Sequence, residues 1–239
     1  MNILVLQHER IEHPGIFRKF LAEDGHSWDP VVLDEGEALP PLDGYDALWV
    51  MGGPMDVWQE DAYPWLRDEK ALIAEAVSAR GMPFLGLCLG HQLLAEALGG
   101  SVGPSATPEI GILDVQRAAR GAGGDWMDGL PKVFRALQWH SAEVTVLPPG
   151  AEVLATSPGC AVQAMKCGPR AYSTQFHAEI EADTLTDWTA IPGHRAALDG
   201  EIGPDGAARM QADARENMRD LNAMAKRLYV NWLQAAVRI

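Results

Sequence analysis

The sequence predicts an α/β fold: a doubly wound, mostly parallel sheet flanked by helices, with a smaller antiparallel portion in its second half. Three observations carry that prediction. Apolar strand-like runs alternate with helical patterns from the first residue to about Gly100, as parallel strands joined by helices do. The early runs, such as ALWVM at Ala47–Met51, are apolar without alternation, which suits burial on both faces. Beyond Gly100 the strand-like runs are short, with turn residues between them, and this favours antiparallel pairing.

In chain order, NILVL at Asn2–Leu6 is the first strand, followed by polar QHER. PGIFRKFLAEDG reads as a helix closed by Gly25. A second strand falls at Pro30–Leu33 and a third at Ala47–Met51, the latter stopped by Gly52, Gly53 and Pro54. Trp65–Arg80 spaces Leu66, Ile73, Ala76 and Val77 near the helical period, with Gly81 as the cap. PFLGLC is a fourth strand and HQLLAEALGG a helix after it. GILDVQ, VFRALQWH, EVTVL, EVLATS, AVQAMKC and RAYSTQF read as separate short strands, with KCGPRA a hairpin turn. IPGHRAALDGEIGPDG, rich in Gly and Pro, is expected as a surface loop. A final helix aligns Leu221, Met224, Leu228 and Trp232 as a packing stripe. Residues 1–239 are expected to form one domain, with a helical C-terminal extension from about 181 to 239.

Composition narrows the class. The chain has 239 residues, with 19 basic against 33 acidic side chains and a net charge of -14. One large α/β domain fits that length and buries an ample core. So acidic a chain repels phosphate backbones and anionic lipid, which counts against nucleic-acid and membrane partners. No stretch approaches membrane-spanning length, and MNILVLQHER lacks the basic start of a signal peptide; a reducing, cytoplasmic setting is expected. Cys88, Cys160 and Cys167 form no CxxC pair. That spacing gives neither a disulfide framework nor a zinc site, and no cofactor or metal is expected.

The chemistry-bearing motif is GLCLG at 86–90. It has the form of a nucleophile elbow, G-x-nucleophile-x-G, with Cys88 in the central place. A sharp strand-to-helix turn strains the nucleophile's backbone, so its neighbours must lack side chains, as Gly86 and Gly90 do. The turn leaves Cys88 at a helix N-terminus, where the dipole and free N–H groups favour thiolate. Those N–H groups, Leu89 first, suit a developing oxyanion.

A thiolate needs a proton partner. Of the seven histidines, His177 follows the run AYSTQF and precedes Glu179 by two residues, so a carboxylate is at hand to orient its ring. His140, after ALQW, is a second candidate base, and His91 reads as structural. The Gly52–Gly53 pair follows the third strand, where a parallel sheet opens its ligand crevice.

MGGPMD, FLGLCLGHQLLAEALGG, WHSAEV and STQFHAEI occur in that order. Together they resemble the class I glutamine amidotransferase family with its Cys-His-Glu triad, a flavodoxin-like fold, across most of Asn2–Ile180. The resemblance implies Cys88 as nucleophile, His177 as general acid/base and Glu179 as its orienter. It implies Gly53 and Leu89 as backbone oxyanion donors. Gln92, Gly52 and the stretch Trp139, His140 and Ser141 would hold the amino-acid end of the substrate. Many members carry Pro between the His and the Glu; here Ala178 stands there.

The implied reaction is hydrolysis of the γ-carboxamide of glutamine, or of a γ-glutamyl amide or peptide, through a thioester on Cys88. About sixty residues follow Ile180, too few for a synthase domain within the chain. Three readings follow: a stand-alone hydrolase, a glutaminase subunit feeding a separate synthase, and a non-catalytic metabolite binder. The intact Cys-His-Glu set argues against the last. The C-terminal helical segment and LQHERIEHPG resemble stand-alone, GMP-synthase-like members, and favour the first. Rim positions are expected at His8, Glu12, His13, Trp58 and Trp65.

Overall fold

Strand β1 (Asn2–Gln7) is apolar along its length and buried from Ile3 onward, so it takes the middle of a sheet. In the computed structural model, which describes residues 1–118 and 126–237, it pairs in parallel with β2 (Ser27–Val32) on one side and β3 (Ala47–Val50) on the other. Next to β3 run β4 (Phe84–Leu87) and then β9 (Ala171–Thr174), also parallel. From β9 the sheet turns antiparallel through β8 (Ala164–Cys167), β7 (Glu152–Thr156), β5 (Ser101–Arg117) and β6 (Val133–Val146). The order is β2-β1-β3-β4-β9-β8-β7-β5-β6, so the parallel and antiparallel portions form one continuous sheet.

Helices cover both faces. On one, α1 (Phe17–Glu23) and α6 (Gly206–Val237) bury Phe17, Tyr229 and Trp232 against Trp49. Trp232 meets Trp49 edge-on at 5.1 Å and donates its indole N–H to the Phe84 carbonyl. On the other face, α2 (Trp65–Ala74) and α3 (Leu89–Ala97) pack Leu66, Ile73, Leu93 and Leu94 over Leu4, Leu6, Leu48 and Val50. Among the described residues no helix is long and apolar enough to cross a membrane.

Five expectations need correction. GILDVQ, expected as a short strand of its own, is the end of β5, which runs from Ser101 to Arg117. The Gly/Pro-rich stretch expected as a loop folds as α5 (Pro192–Ile202), following α4 (Thr184–Ala190). Pro192 opens α5, where its missing N–H does no harm, and Gly203 at φ 80° ends it. VFRALQWH and EVTVL are one strand, β6; Ser141 and Ala142 between them do not turn the chain, and Ala142 pairs with Pro104 of β5 across a register irregularity. The helix expected over Trp65–Arg80 is α-helical only to Ala74 and closes with a π-turn at Glu75–Ala79. The second strand begins earlier, at Ser27, and stops before Leu33.

The register of the parallel strands sets up the site. Leu6, Val50, Gly86 and Ser173 lie side by side across β1, β3, β4 and β9. Two residues further on, where the strands end, stand His8, Gly52, Cys88 and Gln175. The ends of parallel strands are where open α/β sheets bind ligands.

Candidate active site

Cys88 has φ 51° and ψ -103°, and among the described residues it is the one non-glycine at positive φ. Backbone strain of this kind persists only where the surroundings enforce it. Here Cys88 N–H donates to Thr174 O at 2.8 Å, and Gly90 N–H to Met51 O at 3.1 Å. A Cβ on Gly86 would press on the Gly90 carbonyl, and one on Gly90 would overlap the Val50 carbonyl. Both glycines are therefore required by the close approach of backbone, and they hold the turn between β4 and α3.

His177 is set by a different strand. After β9 the chain makes a single antiparallel bridge to β6, with His177 N–H donating to Leu137 O at 2.9 Å. Its Nδ1 lies 2.7 Å from Glu179 Oε1, with both residues almost fully buried. Burial pulls the imidazole pKa down, but the Glu179 carboxylate and the Cys88 sulfur outweigh it and hold His177 well above its ordinary value. The ring edge of Trp188, from α4, packs on His177 at 4.8 Å. Glu179 in turn anchors the loop after β1: its carbonyl accepts Ile16 N–H at 2.7 Å, over Gly15, where any Cβ would collide.

The Gly52–Gly53 loop lies beside this pair. A Cβ on Gly52 would stand 3.1 Å from His177 Cε1 and 3.7 Å from Cys88 Cβ; one on Gly53 would meet Leu89 Cδ2 at 3.0 Å. Gly53 N–H and Leu89 N–H, the latter leading α3, have no acceptor within the described residues, as the first groups of a helix do not. His8 donates from Nδ1 to Gly52 O at 2.7 Å, and its Nε2 faces both Glu69 oxygens at 3.1 Å. Burial opposes a charge on His8, yet Glu69 outweighs it and the pKa is raised. The peptide is planar and trans. Fixing the Gly52 carbonyl therefore fixes the opposite heading of Gly53 N–H.

These residues surround a crevice of about 560 Å³, lined among others by Cys88, Leu89, Gln92, Gly53, His177 and Trp139–Ala142. Gln92 donates to Ala142 O at 3.2 Å and Gln175 Oε1 at 3.1 Å, and Gln175 Nε2 lies 3.7 Å from Cys88 Sγ. Ser141 and Trp139 line the same space. His140 lines it too, but its ring engages Ala142 O at 3.0 Å and the Glu109 carboxylate at 3.3 Å rather than the cysteine. His91 is buried away from solvent, hydrogen-bonded to Ser173 Oγ at 2.8 Å, and burial lowers its pKa to about 3.

The rim expectation fails for His8, which is fully buried and stacks on Trp65 at 5.5 Å. His13, Trp58 and Trp65 do not line the crevice, whereas Glu12 does, from a buried position. Gln175 is visible in the sequence only as part of STQFHAEI and His8 only as a rim candidate, while Trp188 and Glu69 carry no signal in the pattern. Register brings Gln175 to the cysteine, and tertiary packing brings Trp188 to His177 and the His8–Glu69 pair to the Gly52 carbonyl.

Metal-type donors cluster once among the described residues, at Glu109, His140 and Cys160, within 4.8 Å of one another. The Glu109 carboxylate already accepts from Ser157 Oγ and Gln163 Nε2, and burial pushes the Cys160 thiol up to about 12. The Glu109 oxygens are thus committed to hydrogen bonds within the protein, and Cys160 is held as a thiol.

The chain is similar to known proteins in sequence and in fold. The family model described as glutamine amidotransferase class-I matches residues 27–187. The glutamine amidotransferase-like protein YfeJ of Salmonella typhimurium is 35% identical over 191 residues, 77% of this chain and 78% of that protein. The GMP synthase [glutamine-hydrolyzing] of Aeropyrum pernix is 37% identical over 164 residues, which are 66% of this chain but 29% of that enzyme. A glutamine amidotransferase from Thermotoga maritima, solved by crystallography, superposes with a TM-score of 0.87 at 28% identity, covering 100% of this chain and 99% of that one. With a family model spanning most of the sheet and a relative of matching length and identity, the chain belongs to the class I glutamine amidotransferases.

Proposed function

We propose that the chain hydrolyses the γ-amide bond of glutamine or of a γ-glutamyl amide or peptide, acting without a synthase. The observation that carries this reading is the strained Cys88 at the head of α3, beside the buried His177–Glu179 pair. Cys88 thiolate attacks the γ-carbonyl, and the S–C bond forms as the oxyanion settles on Gly53 and Leu89 N–H. His177 gives its proton to the departing nitrogen as the C–N bond breaks, leaving a γ-glutamyl thioester. Water, deprotonated by His177, then breaks the S–C bond and releases glutamate. Glu179 orients the ring and stabilises its charged form. General acid–base help of this kind contributes ~10²–10⁴-fold, and a single oxyanion donor ~10²–10³-fold. Gln92 and the Trp139–Ser141 segment hold the amino-acid end of the substrate.

Two features support independent action. The likeness to the Thermotoga protein runs over the whole chain, helices α4–α6 included. Gly53 N–H, an oxyanion donor, is held in place by His8 from within the chain itself. The other reading, a glutaminase subunit supplying ammonia to a separate synthase, draws on relatives named as one subunit of GMP synthase [glutamine-hydrolyzing], that of Ignicoccus hospitalis among them. Steady-state kinetics on the purified chain separates the two. Turnover of at least one γ-glutamyl amide, lost in Cys88→Ser, is expected. Silence on every amide, followed by strong activation when a synthase and its acceptor are added, overturns the stand-alone reading.

A further inference from the structure

The space around Cys88 is larger than glutamine needs. Ten non-hydrogen atoms at the density of liquid water fill at most about 300 Å³, against a crevice of about 560 Å³. Beside His177 and His194, whose Nε2 faces Glu9 Oε2 at 3.4 Å, the charged groups lining it are carboxylates. Glu9, Glu12, Asp56 and Glu201 face it, and among the described lining residues there is no Lys or Arg. An acidic chain exposes carboxylates on many surfaces, so the lining alone decides nothing.

Glu12 is different. It is 7% exposed, lines the crevice, and its Oε2 has no hydrogen-bond partner. A buried polar atom without a protein partner is costly, and one that faces a crevice is open to a donor from a ligand or water. The position is specific: Oε2 would stand 2.9 Å from a Cβ on Gly52, the same point that lies 3.1 Å from His177 Cε1. The carboxyl therefore sits beside the imidazole that, in the reading above, protonates the departing nitrogen. The loop carrying Glu12 is held there through Ile16 N–H and the Glu179 carbonyl.

The remaining wall is aromatic. Trp188 packs on His177, Trp139 meets Trp188 at 5.9 Å, and both indoles line the crevice with His194. Carboxylates backed by indole rings recognise an organic ammonium ion through charge-assisted hydrogen bonds and cation–π attraction. The same wall repels a carboxylate on the leaving side.

Resting on the hydrolase reading, we propose that Glu12 reads the leaving side of the substrate, and that the preferred substrate is a γ-glutamyl amide whose departing amine carries a second, cationic amino group. The bonds made and broken are those given above: S–C forms, C–N breaks, the His177 proton goes to the amine, and water supplies the atoms that free glutamate. Glu12 contacts the tail and takes no proton from the reacting nitrogen.

The test is kcat/KM of the full chain, above pH 7 where the Glu12 carboxyl is ionised, on three γ-glutamyl amides differing only beyond the γ-nitrogen: the neutral methylamide, the anionic glycine derivative, and the mono-amide of a diaminoalkane. The diamine derivative is expected to exceed the glycine derivative by about tenfold or more, and Glu12→Gln to collapse that ratio toward unity. A structural role for Glu12 would lower all three rates together and leave the ratio unmoved. Binding of the same amides to Cys88→Ala, measured by calorimetry, reads the preference without turnover and without altering Glu12. Equal turnover of all three amides overturns this inference and leaves the hydrolase reading standing. Turnover of none overturns the hydrolase reading and this inference with it. Binding to Cys88→Ala with no preference for the cationic tail also overturns it, whether or not Glu12→Gln folds.

Discussion

Cys88 and Glu12 are each placed where an isolated residue would not choose to be. Cys88 is held at positive φ, and Cys160 and Cys167 are ordinary buried thiols, Cys167 too pushed up to about 12 by burial. A glutamine-like electrophile is therefore expected to label Cys88 alone; peptide mass mapping that finds the label on Cys160 or Cys167 rules this out. Glu12 is held up to about 7, by burial first and by Glu179 and Glu9 after it, with His177 and His8 pulling the other way. The folded chain thus keeps the Glu12 proton to about 7, whereas the unfolded chain loses it near 4.5. In that window the folded state binds more protons, so this group's contribution to stability falls as pH rises. Glu12→Gln should be nearly neutral for stability below pH 4.5 and stabilising above pH 7, by up to about 3 kcal/mol. Denaturant unfolding at both ends of the window measures it, and an equal effect at both contradicts the assignment. The motif residues Cys88, His177 and Glu179 were legible because short spacings carry them. Glu12 was legible as a loop residue but not as a buried one, since its depth is set by Gly15 closing on the Glu179 carbonyl.

Elements were legible in proportion to how local their signals are. The first half reads well because β1, β3 and β4 are largely apolar runs, whereas β2 is polar over most of Ser27–Pro30 and shows only its apolar end. α5 was misread because Gly and Pro were counted rather than located: Pro at the first turn and Gly after the last are helix ends. β6 reads as two strands because the register with β5 is irregular at Ser141, which a long two-stranded ladder tolerates. At the elbow, Gly90→Ala drives a Cβ into the Val50 carbonyl of the neighbouring strand. It is expected to lower stability by about 1–3 kcal/mol or more, with loss of activity, read from the midpoint of urea unfolding; an unchanged midpoint would show that α3 shifts freely on β3. His8→Ala releases the Gly52 carbonyl and leaves Glu69 buried without its cation. If His8 positions Gly53 N–H for the oxyanion, kcat should fall by up to ~10²-fold with KM little changed. A rise in KM at constant kcat would place His8 in substrate binding instead.

The one nine-stranded sheet was only half visible in the sequence, because nothing local announces that β9 pairs with both β4 and β8. That pairing joins the two halves and brings His177 to Cys88 across about ninety residues of chain. The C-terminal helix belongs to the same body: Trp232 packs on Trp49 and bonds to β4. Trp232→Ala is expected to cost about 3–5 kcal/mol and to shift a single unfolding transition monitored by circular dichroism and tryptophan fluorescence together. Separate transitions by the two probes would show that α6 melts apart from the sheet. The His8 clasp on the Gly52–Gly53 peptide has a consequence for economy of use. On the proposed reading the oxyanion donor is locked from the interior, by a pair with no solvent exposure. Such a catalyst has no resting state to be woken from. Idle destruction of free glutamine is then limited only by how weakly the bare amino acid is admitted. Discrimination falls to the entrance, as a high KM for glutamine, and a regulator of this chain would act by competing for the crevice instead of by switching the chemistry on.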